Sequence, residues 1–190
     1  MDANLLNDEI ELACEALREG RVIAYPTESV FGLGCNPLAL APVLDVFALK
    51  NRNPEQGFLL IASTFDQVAP YIDFNKIAPS RVESICAQWP GPTTWIFPAS
   101  SNVPAWLVGR HAGIGLRVTA HPVAAEICRV FGRPIVSTSA NPHGAAPATS
   151  VKGVREYFGD RLGAIVNGEL GGFARPTPIL DALTGKVVRN

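Results

Sequence analysis

The stretch at residues 24–37, AYPTESVFGLGCNP, passes from apolar residues to polar residues and glycines at its centre. Apolar residues 22–25 predict a short buried strand, which Pro26 ends. Two hydroxyls and a carboxylate follow at 27–29 (Thr-Glu-Ser), and two glycines follow these. The segment could be an ordinary glycine turn between a strand and a helix, or it could form the edge of a site for a small polar molecule.

The composition is rich in core-forming residues and almost neutral. Of 190 residues, 47% are hydrophobic and 17% are charged, which argues against disorder and fits one domain spanning residues 1–190. The 16 Lys plus Arg nearly balance the 17 Asp plus Glu, so the net charge of -1 gives no global sign of nucleic-acid binding. The four cysteines form no C-x-x-C pair, which argues against a zinc knuckle or a redox dithiol.

No part of the sequence is typical of a membrane protein. The longest apolar runs are far shorter than the roughly 20 residues that span a bilayer, and the acidic start lacks the apolar core of a signal peptide. We therefore expect a cytoplasmic protein with reduced thiols and no contact with membranes.

Helical and strand patterns alternate along the chain and predict an α/β domain built on a twisted sheet. In the first helix Asn7 is the expected cap and Gly20 the expected stop. The final stretch predicts a hairpin around Thr184 and Gly185, which makes the sheet mixed. Helices are predicted at 7–20, 41–50, 79–89, 121–132 and 149–159, and strands at 22–25, 58–62, 93–97, 114–119, 134–138 and 164–166.

Two cations stand two residues apart at the end of a predicted helix. Lys50 and Arg52 could grip a polyphosphate, since arginine offers a planar fork and lysine a point charge. A solvated helix end would carry the same residues, because cations also complement the helix dipole there. The sequence alone leaves both interpretations open.

Polar side chains also cluster where the predicted strand 134–138 ends. Four polar side chains there would suit a sugar, a phosphate or an amino acid, because ligands collect at the carboxyl ends of strands in α/β sheets. They are Ser137, Thr138, Ser139 and Asn141. Ordinary capping and turn chemistry favours the same residue types. In the strand 114–119, Arg117 alternates away from the apolar face, either to clamp a carboxylate or simply to lie exposed.

Several motifs taken together resemble the YrdC family. They appear in that family's order and spacing and cover residues 9–189 of the chain. These motifs are YPTESVFGLG (25–34), KNR (50–52), WPGPTTWIF (89–97), GLRVTAHP (115–122), VSTSAN (136–141) and the final VVR (187–189).

The resemblance implies a single YrdC-like α/β domain, a twisted mixed sheet flanked by helices, with a deep concave site. It also implies a nucleotidyltransferase that joins L-threonine, bicarbonate or CO2, and ATP. The products would be threonylcarbamoyl-AMP and pyrophosphate, with Mg²⁺ accompanying the ATP. A downstream transferase machinery would pass the threonylcarbamoyl group to adenosine 37 of certain tRNAs, with at most a weak tRNA contact by this protein itself.

The resemblance assigns roles to particular residues, with none acting as a covalent or acid–base catalyst and none ligating a metal through its side chain. ATP would be bound by Lys50, Arg52, Ser139, Asn141 and Arg189, with Gln56 and Gly113 as further candidates. Threonine would be bound by Thr27, Ser29, Arg117, Ser137 and Thr177.

The sequence departs from the family pattern in two places. Asn53 separates Arg52 from Pro54, where the family often has the proline directly. Ile61 stands where longer relatives carry a histidine, so that threonine contact is absent or replaced. Two rival interpretations remain: a non-catalytic module that binds tRNA or ribosomal RNA, and a carbamoyl-transfer domain of the kind found within larger hydrogenase-maturation proteins.

Overall fold

The computed structural model describes residues 3–174 and 176–189, which form an α/β domain with helices on both faces of one sheet. The α-helices are α1 (Ala3–Arg18), α2 (Leu40–Lys50), α3 (Phe65–Val68), α4 (Pro79–Cys86), α5 (Ala105–Val108), α6 (Pro122–Phe131) and α7 (Val151–Phe158). Short 3-10 helices lie at Pro54–Gln56, Ala69–Tyr71, Phe74–Lys76 and Gly159–Arg161.

The strands are β1 (Ile23–Pro26), β2 (Phe31–Gly34), β3 (Leu59–Ala62), β4 (Thr94–Pro98), β5 (Gly113–Val118), β6 (Ile135–Ser139), β7 (Ala164–Ile165), β8 (Ile179–Asp181) and β9 (Val187–Arg189). In the described part of the chain they form one sheet in the order β7-β1-β2-β6-β3-β5-β4-β8-β9. β3 and β5 are parallel, whereas β3 and β6 are antiparallel, so the prediction of a mixed sheet is confirmed. β8 and β9 form the predicted terminal hairpin.

The two faces of the sheet are covered differently. Ile114, Leu116 and Val118 of β5 lie in the larger hydrophobic core on one face, as their alternation predicted. On the opposite face, α1 and α6 pack over Ile61 and Ile135 to form a second core. The rest of that face is left open, and the candidate site lies there. No helix in the described ranges is both long and apolar enough to cross a membrane.

The first helix starts earlier than predicted. α1 begins at Ala3, so Asn7 lies inside the helix and does not cap it. The extra turn is stabilised by packing, because Leu6 is partly buried against the core shared by α1 and α6.

The prediction that residues 27–34 turn between a strand and a helix is wrong. β1 and β2 form an antiparallel hairpin, and both glycines lie within β2. The cause is the aromatic ring of Tyr25, which lies across the neighbouring strand. A Cβ on Gly34 would stand 2.8 Å from Tyr25 Cε1 and 2.9 Å from the Val136 carbonyl oxygen, so only glycine leaves room for the ring.

Candidate functional site

A cavity of about 800 Å³ opens over the uncovered part of the sheet. Its volume suits a cofactor-sized ligand. The floor includes Gly113 and Gly115 of β5, which have no side chain to fill the space in front of the sheet. The walls come from the β1–β2 hairpin, the end of α2, the loop after β6 and the segment that leads into β8.

Lys50 is the last residue of α2 and is buried, with only 5% of its surface exposed. Its Nζ donates hydrogen bonds to the carbonyl oxygens of Ser139 and Asn141 and to Asn141 Oδ1. The alternative of a solvated helix end is therefore wrong for Lys50, because acceptors 89 and 91 residues away hold it in the wall. Burial, aided by the nearby charge of Arg52, lowers the Lys50 pKa to about 8.

Arg52 lies beside Lys50 and lines the cavity. Its Nη2 donates to the Gly57 carbonyl oxygen over 2.9 Å, and its guanidinium lies 4.9 Å from the centre of the Phe58 ring. Its Nε is buried and has no hydrogen-bond partner among the described residues. Burial and the neighbouring charge of Arg189 both lower the Arg52 pKa. Arg52 therefore brings a positive charge to the cavity wall.

The end of β6 combines turn chemistry with site lining. Ser139 Oγ donates to Asn141 Oδ1 over 2.6 Å, and Asn141 Nδ2 donates to the Ala145 carbonyl oxygen over 2.8 Å, which fixes the following loop. Ser137 Oγ accepts a hydrogen bond from the buried Tyr25 hydroxyl over 3.0 Å. Ser137, Ser139 and Asn141 also line the cavity, so this motif can serve both as a turn and as part of a ligand site.

Arg117 projects from β5, two strands away from β6, and is 6% exposed. It lies on the face opposite the main core, as predicted, but the alternative that it lies exposed is wrong. Its Nε donates to Thr94 Oγ1 over 3.0 Å, its Nη1 to Glu28 Oε2 over 2.9 Å and its Nη2 to Thr177 Oγ1 over 2.8 Å. Burial lowers the Arg117 pKa, and the Glu28 carboxylate opposes that change.

The β1–β2 hairpin forms one wall, as the sequence indicated. Thr27 Oγ1 donates to the Val30 carbonyl oxygen over 2.7 Å and closes the hairpin loop, while Ser29 lines the cavity beside it. A strap of chain at 167–173 crosses this loop. The backbone N–H of Gly171 donates to the Thr27 carbonyl oxygen, and that of Phe173 to the Glu28 carbonyl oxygen.

The last strand reaches the same cavity. Arg189 lines it, and Arg189 Nη2 donates to the Thr177 carbonyl oxygen over 3.1 Å. Gln56 and Gly113, the further ATP candidates, also lie in the lining. Ile61 does not, because its side chain is buried in the core under α1 and α6. All ten residues that the resemblance assigned to ATP and threonine therefore converge on one cavity.

Sequence reasoning missed the buried network behind Arg117. Glu28 is 4% exposed, and its Oε1 accepts from Thr119 Oγ1 over 2.7 Å. Neither Thr94 nor Thr119 stood out among the candidates. Glu28 was visible as a charged residue between two site hydroxyls, but nothing local in the sequence shows that its partner lies 89 residues away.

The cavity is electropositive. Lys50, Arg52 and Arg189 line it without a carboxylate partner among the described residues, and no Asp or Glu appears in the described lining. Uncompensated cations around an enclosed space favour an anionic ligand, since the surrounding protein screens charge less than water does.

The comparisons with known proteins agree with this geometry. A model of the Sua5/YciO/YrdC family, described as "Telomere recombination", matches residues 15–190. The chain belongs to the Sua5/YciO/YrdC family. It is similar to a threonylcarbamoyl-AMP synthase of Cellvibrio japonicus, 46% identical over 97% of this chain and 96% of that protein. It is also similar to a threonylcarbamoyl-AMP synthase of Escherichia coli, 44% identical over 100% of this chain and 99% of that protein.

Among solved structures of the Sua5/YciO/YrdC family, P. abyssi Sua5 complexed with L-threonine superposes with a TM-score of 0.83 at 31% identity. The match covers 90% of this chain and 50% of that one, so this chain spans about half the length of P. abyssi Sua5. The resemblance to the YrdC family and the expected fold are thus confirmed.

Proposed function

We propose that this protein is a threonylcarbamoyl-AMP synthase, a nucleotidyltransferase that joins L-threonine, bicarbonate or CO2, and ATP. The observation that carries the proposal is one cavity lined by three cations that have no carboxylate partner among the described residues and by the buried, oriented Arg117 of β5. The full-length similarity to proteins named for this activity supports it.

The triphosphate of ATP is bound on the α2 and β6 side of the cavity. Lys50 and Arg52 both line the cavity there and supply two positive charges for the phosphate groups. Arg189 adds a third positive charge from β9, close enough to lower the Arg52 pKa. Ser139 and Asn141 keep the loop that holds Lys50 in place.

L-Threonine is bound on the β5 and β8 side. Arg117 pairs with its carboxylate, and the hydroxyls of Thr27, Ser29, Ser137 and Thr177 surround the polar remainder. The complex of P. abyssi Sua5 with L-threonine supports an amino-acid pocket in this fold.

The chemistry follows from placing these substrates side by side. The amino group of threonine adds to CO2 and loses a proton, which gives a carbamate. A carbamate oxygen attacks the α-phosphorus of ATP, the bond to the bridging oxygen breaks, and pyrophosphate leaves. No protein nucleophile is required, since proximity and neutralisation of the pyrophosphate charge by Lys50 and Arg52 supply the catalysis.

Mg²⁺ enters as part of the MgATP substrate in this proposal. The cavity lining offers hydroxyls, amides and cations among the described residues, and phosphate oxygens and water are ligands that Mg²⁺ accepts.

The adenylate product then serves the separate transferase machinery that modifies tRNA, with at most a weak tRNA contact by this protein. We place this work in the cytoplasm, with residues 1–190 acting as one domain.

A pyrophosphate-release assay with each substrate omitted in turn tests the proposal. Release should require ATP, Mg²⁺, L-threonine and bicarbonate together. L-Serine should work less well, but only partly so, because one methyl group is worth about 1–3 kcal/mol in a fitted pocket. Equal release with any amino acid, or tRNA binding without turnover, would contradict the proposal and favour the RNA-binding alternative.

A further inference from the structure

Glu28 lies behind Arg117 and outside the cavity. Its neighbours in sequence, Thr27 and Ser29, both line the cavity, whereas Glu28 does not. Its carboxylate is buried and accepts from Arg117 on one oxygen and from Thr119 on the other. Arg117 therefore stands between this carboxylate and the space where a ligand would lie.

The contacts of Arg117 fix the plane of its guanidinium. Of its five N–H donors, one on Nε, one on Nη1 and one on Nη2 are taken by Thr94, Glu28 and Thr177. One N–H on each terminal nitrogen remains without a partner among the described residues. Two parallel donors from the two terminal nitrogens match the two oxygens of a carboxylate.

A buried ion pair of this kind is weak evidence for stability, because both charges lose their hydration. The pair contributes little attraction to a second anion either, since Glu28 partly cancels the charge of Arg117. The pair instead fixes the orientation of the Arg117 guanidinium, because an arginine held by three contacts cannot rotate its fork away from the cavity.

We propose that Glu28 is a positioning residue that orients the Arg117 fork toward the carboxylate of the amino-acid substrate. This inference rests on the proposed function and adds to it the group that sets the geometry of amino-acid recognition. Glu28 itself touches no substrate and moves no proton.

Two substitutions that leave the charge unchanged test the inference. Glu28→Asp withdraws the carboxylate by one methylene, and Thr94→Val removes the acceptor of Arg117 Nε in an isosteric side chain. Glu126→Asp is the matched control, because Glu126 pairs with Arg129 on the exposed surface of α6. Thr94 itself lines the cavity, so if Glu28→Asp does not fold, Thr119→Val takes its place, because it removes the hydroxyl that holds Glu28 from outside the lining.

The readout is the ratio of affinities for L-threonine and L-threoninol, which lacks the carboxylate, measured by calorimetry. Both test variants should lower the affinity for L-threonine about 10-fold or more, with little change for L-threoninol or ATP, because only the carboxylate loses its oriented partner. Glu126→Asp should behave like the unmodified protein.

Other results separate the failures. Equal weakening of both ligands would give Glu28 a structural role only and overturn the inference, as would unchanged binding of both. If the unmodified protein releases pyrophosphate with threonine but the variants keep their preference for the carboxylate, the inference alone fails. If the unmodified protein neither binds threonine nor turns over, the proposed function fails and the inference with it.

Discussion

Lys50 Nζ and the carbonyl oxygen of Asn141 lie 2.9 Å apart, although 91 residues separate them in sequence. The end of α2 is thereby joined to the loop after β6, and the backbone N–H of His143 donates to the Lys50 carbonyl oxygen over 2.7 Å at the same junction. One lysine thus supports the cavity wall and also offers its charge to a ligand.

Lys50→Ala and Arg52→Ala should both lose activity but differ in stability. Each removes a charge from the phosphate side, which should lower turnover by roughly 30- to 1000-fold, equivalent to about 2–4 kcal/mol. Lys50→Ala should also lower the melting temperature more, because the carbonyl groups of Ser139 and Asn141 lose their donor. Pyrophosphate release and thermal denaturation measure the two effects. Arg110→Ala, an exposed arginine outside the cavity lining, is the control and should change neither. Normal turnover in both cavity variants would mean that the cations only end a helix.

ATP binding should weaken in alkaline solution. Burial and the charge of Arg52 lower the Lys50 pKa to about 8, and a bound triphosphate would raise it. ATP affinity should therefore be highest below pH 8 and fall as the pH rises through that value, because binding then requires uptake of a proton. Calorimetric titrations between about pH 7 and about pH 9.5 would show it, with proton uptake detected by changing the buffer. Lys50→Arg, which stays charged, should lose this dependence. A flat profile in the unmodified protein would show that Lys50 does not meet the phosphates.

Arg117→Lys should weaken threonine binding and leave ATP binding nearly unchanged. Lysine keeps the charge but cannot contact Thr94, Glu28 and Thr177 together while presenting a planar fork. Separate calorimetric titrations with each ligand test this. Because Arg117 is buried, tRNA binding should not respond. Weaker tRNA binding with unchanged threonine binding would show that this face belongs to a nucleic-acid surface.

Gly34→Ala should destabilise the protein by about 1–3 kcal/mol, because the added methyl group overlaps the Tyr25 ring and the Val136 carbonyl. Gly153→Ala is the matched control. Its Cβ would lie 3.4 Å from Ala148 Cβ, an ordinary contact, and the site is inside α7, where alanine is favoured by roughly 0.5–1 kcal/mol. Unfolding in urea compares the two. An equal effect of both substitutions would exclude overlap with Tyr25 as the cause.

Local hydrophobic patterns predicted most of the helices and strands, because they indicate which side chains are buried in the core. The alternation of Ile114, Leu116 and Val118 placed Arg117 on the correct face of β5. β2 was missed because two glycines in four residues look like a turn, whereas here they accommodate a ring from the adjacent strand.

The candidate site was predictable as a set of residues but not as a set of contacts. The order of the motifs assigned Lys50, Arg52 and Arg117 to one site before the structure showed the cavity. Their burial depends on partners about 90 residues away, such as Asn141 for Lys50 and Glu28 for Arg117. No local pattern carries that information, since these contacts exist only after the sheet has formed.

The strap over the β1–β2 hairpin has a consequence for how the protein matures during translation. The ribosome produces the cations at 50, 52 and 117 well before the segment that supplies Gly171, Phe173, Thr177 and Arg189. Until that segment emerges, the hairpin lacks its covering backbone bonds and Arg117 lacks one of its three anchors. Because a domain generally folds as a unit, the cavity cannot assemble before this segment has emerged. Binding competence therefore requires the segment that carries Gly171, Thr177 and Arg189 to be synthesised and to dock against the sheet.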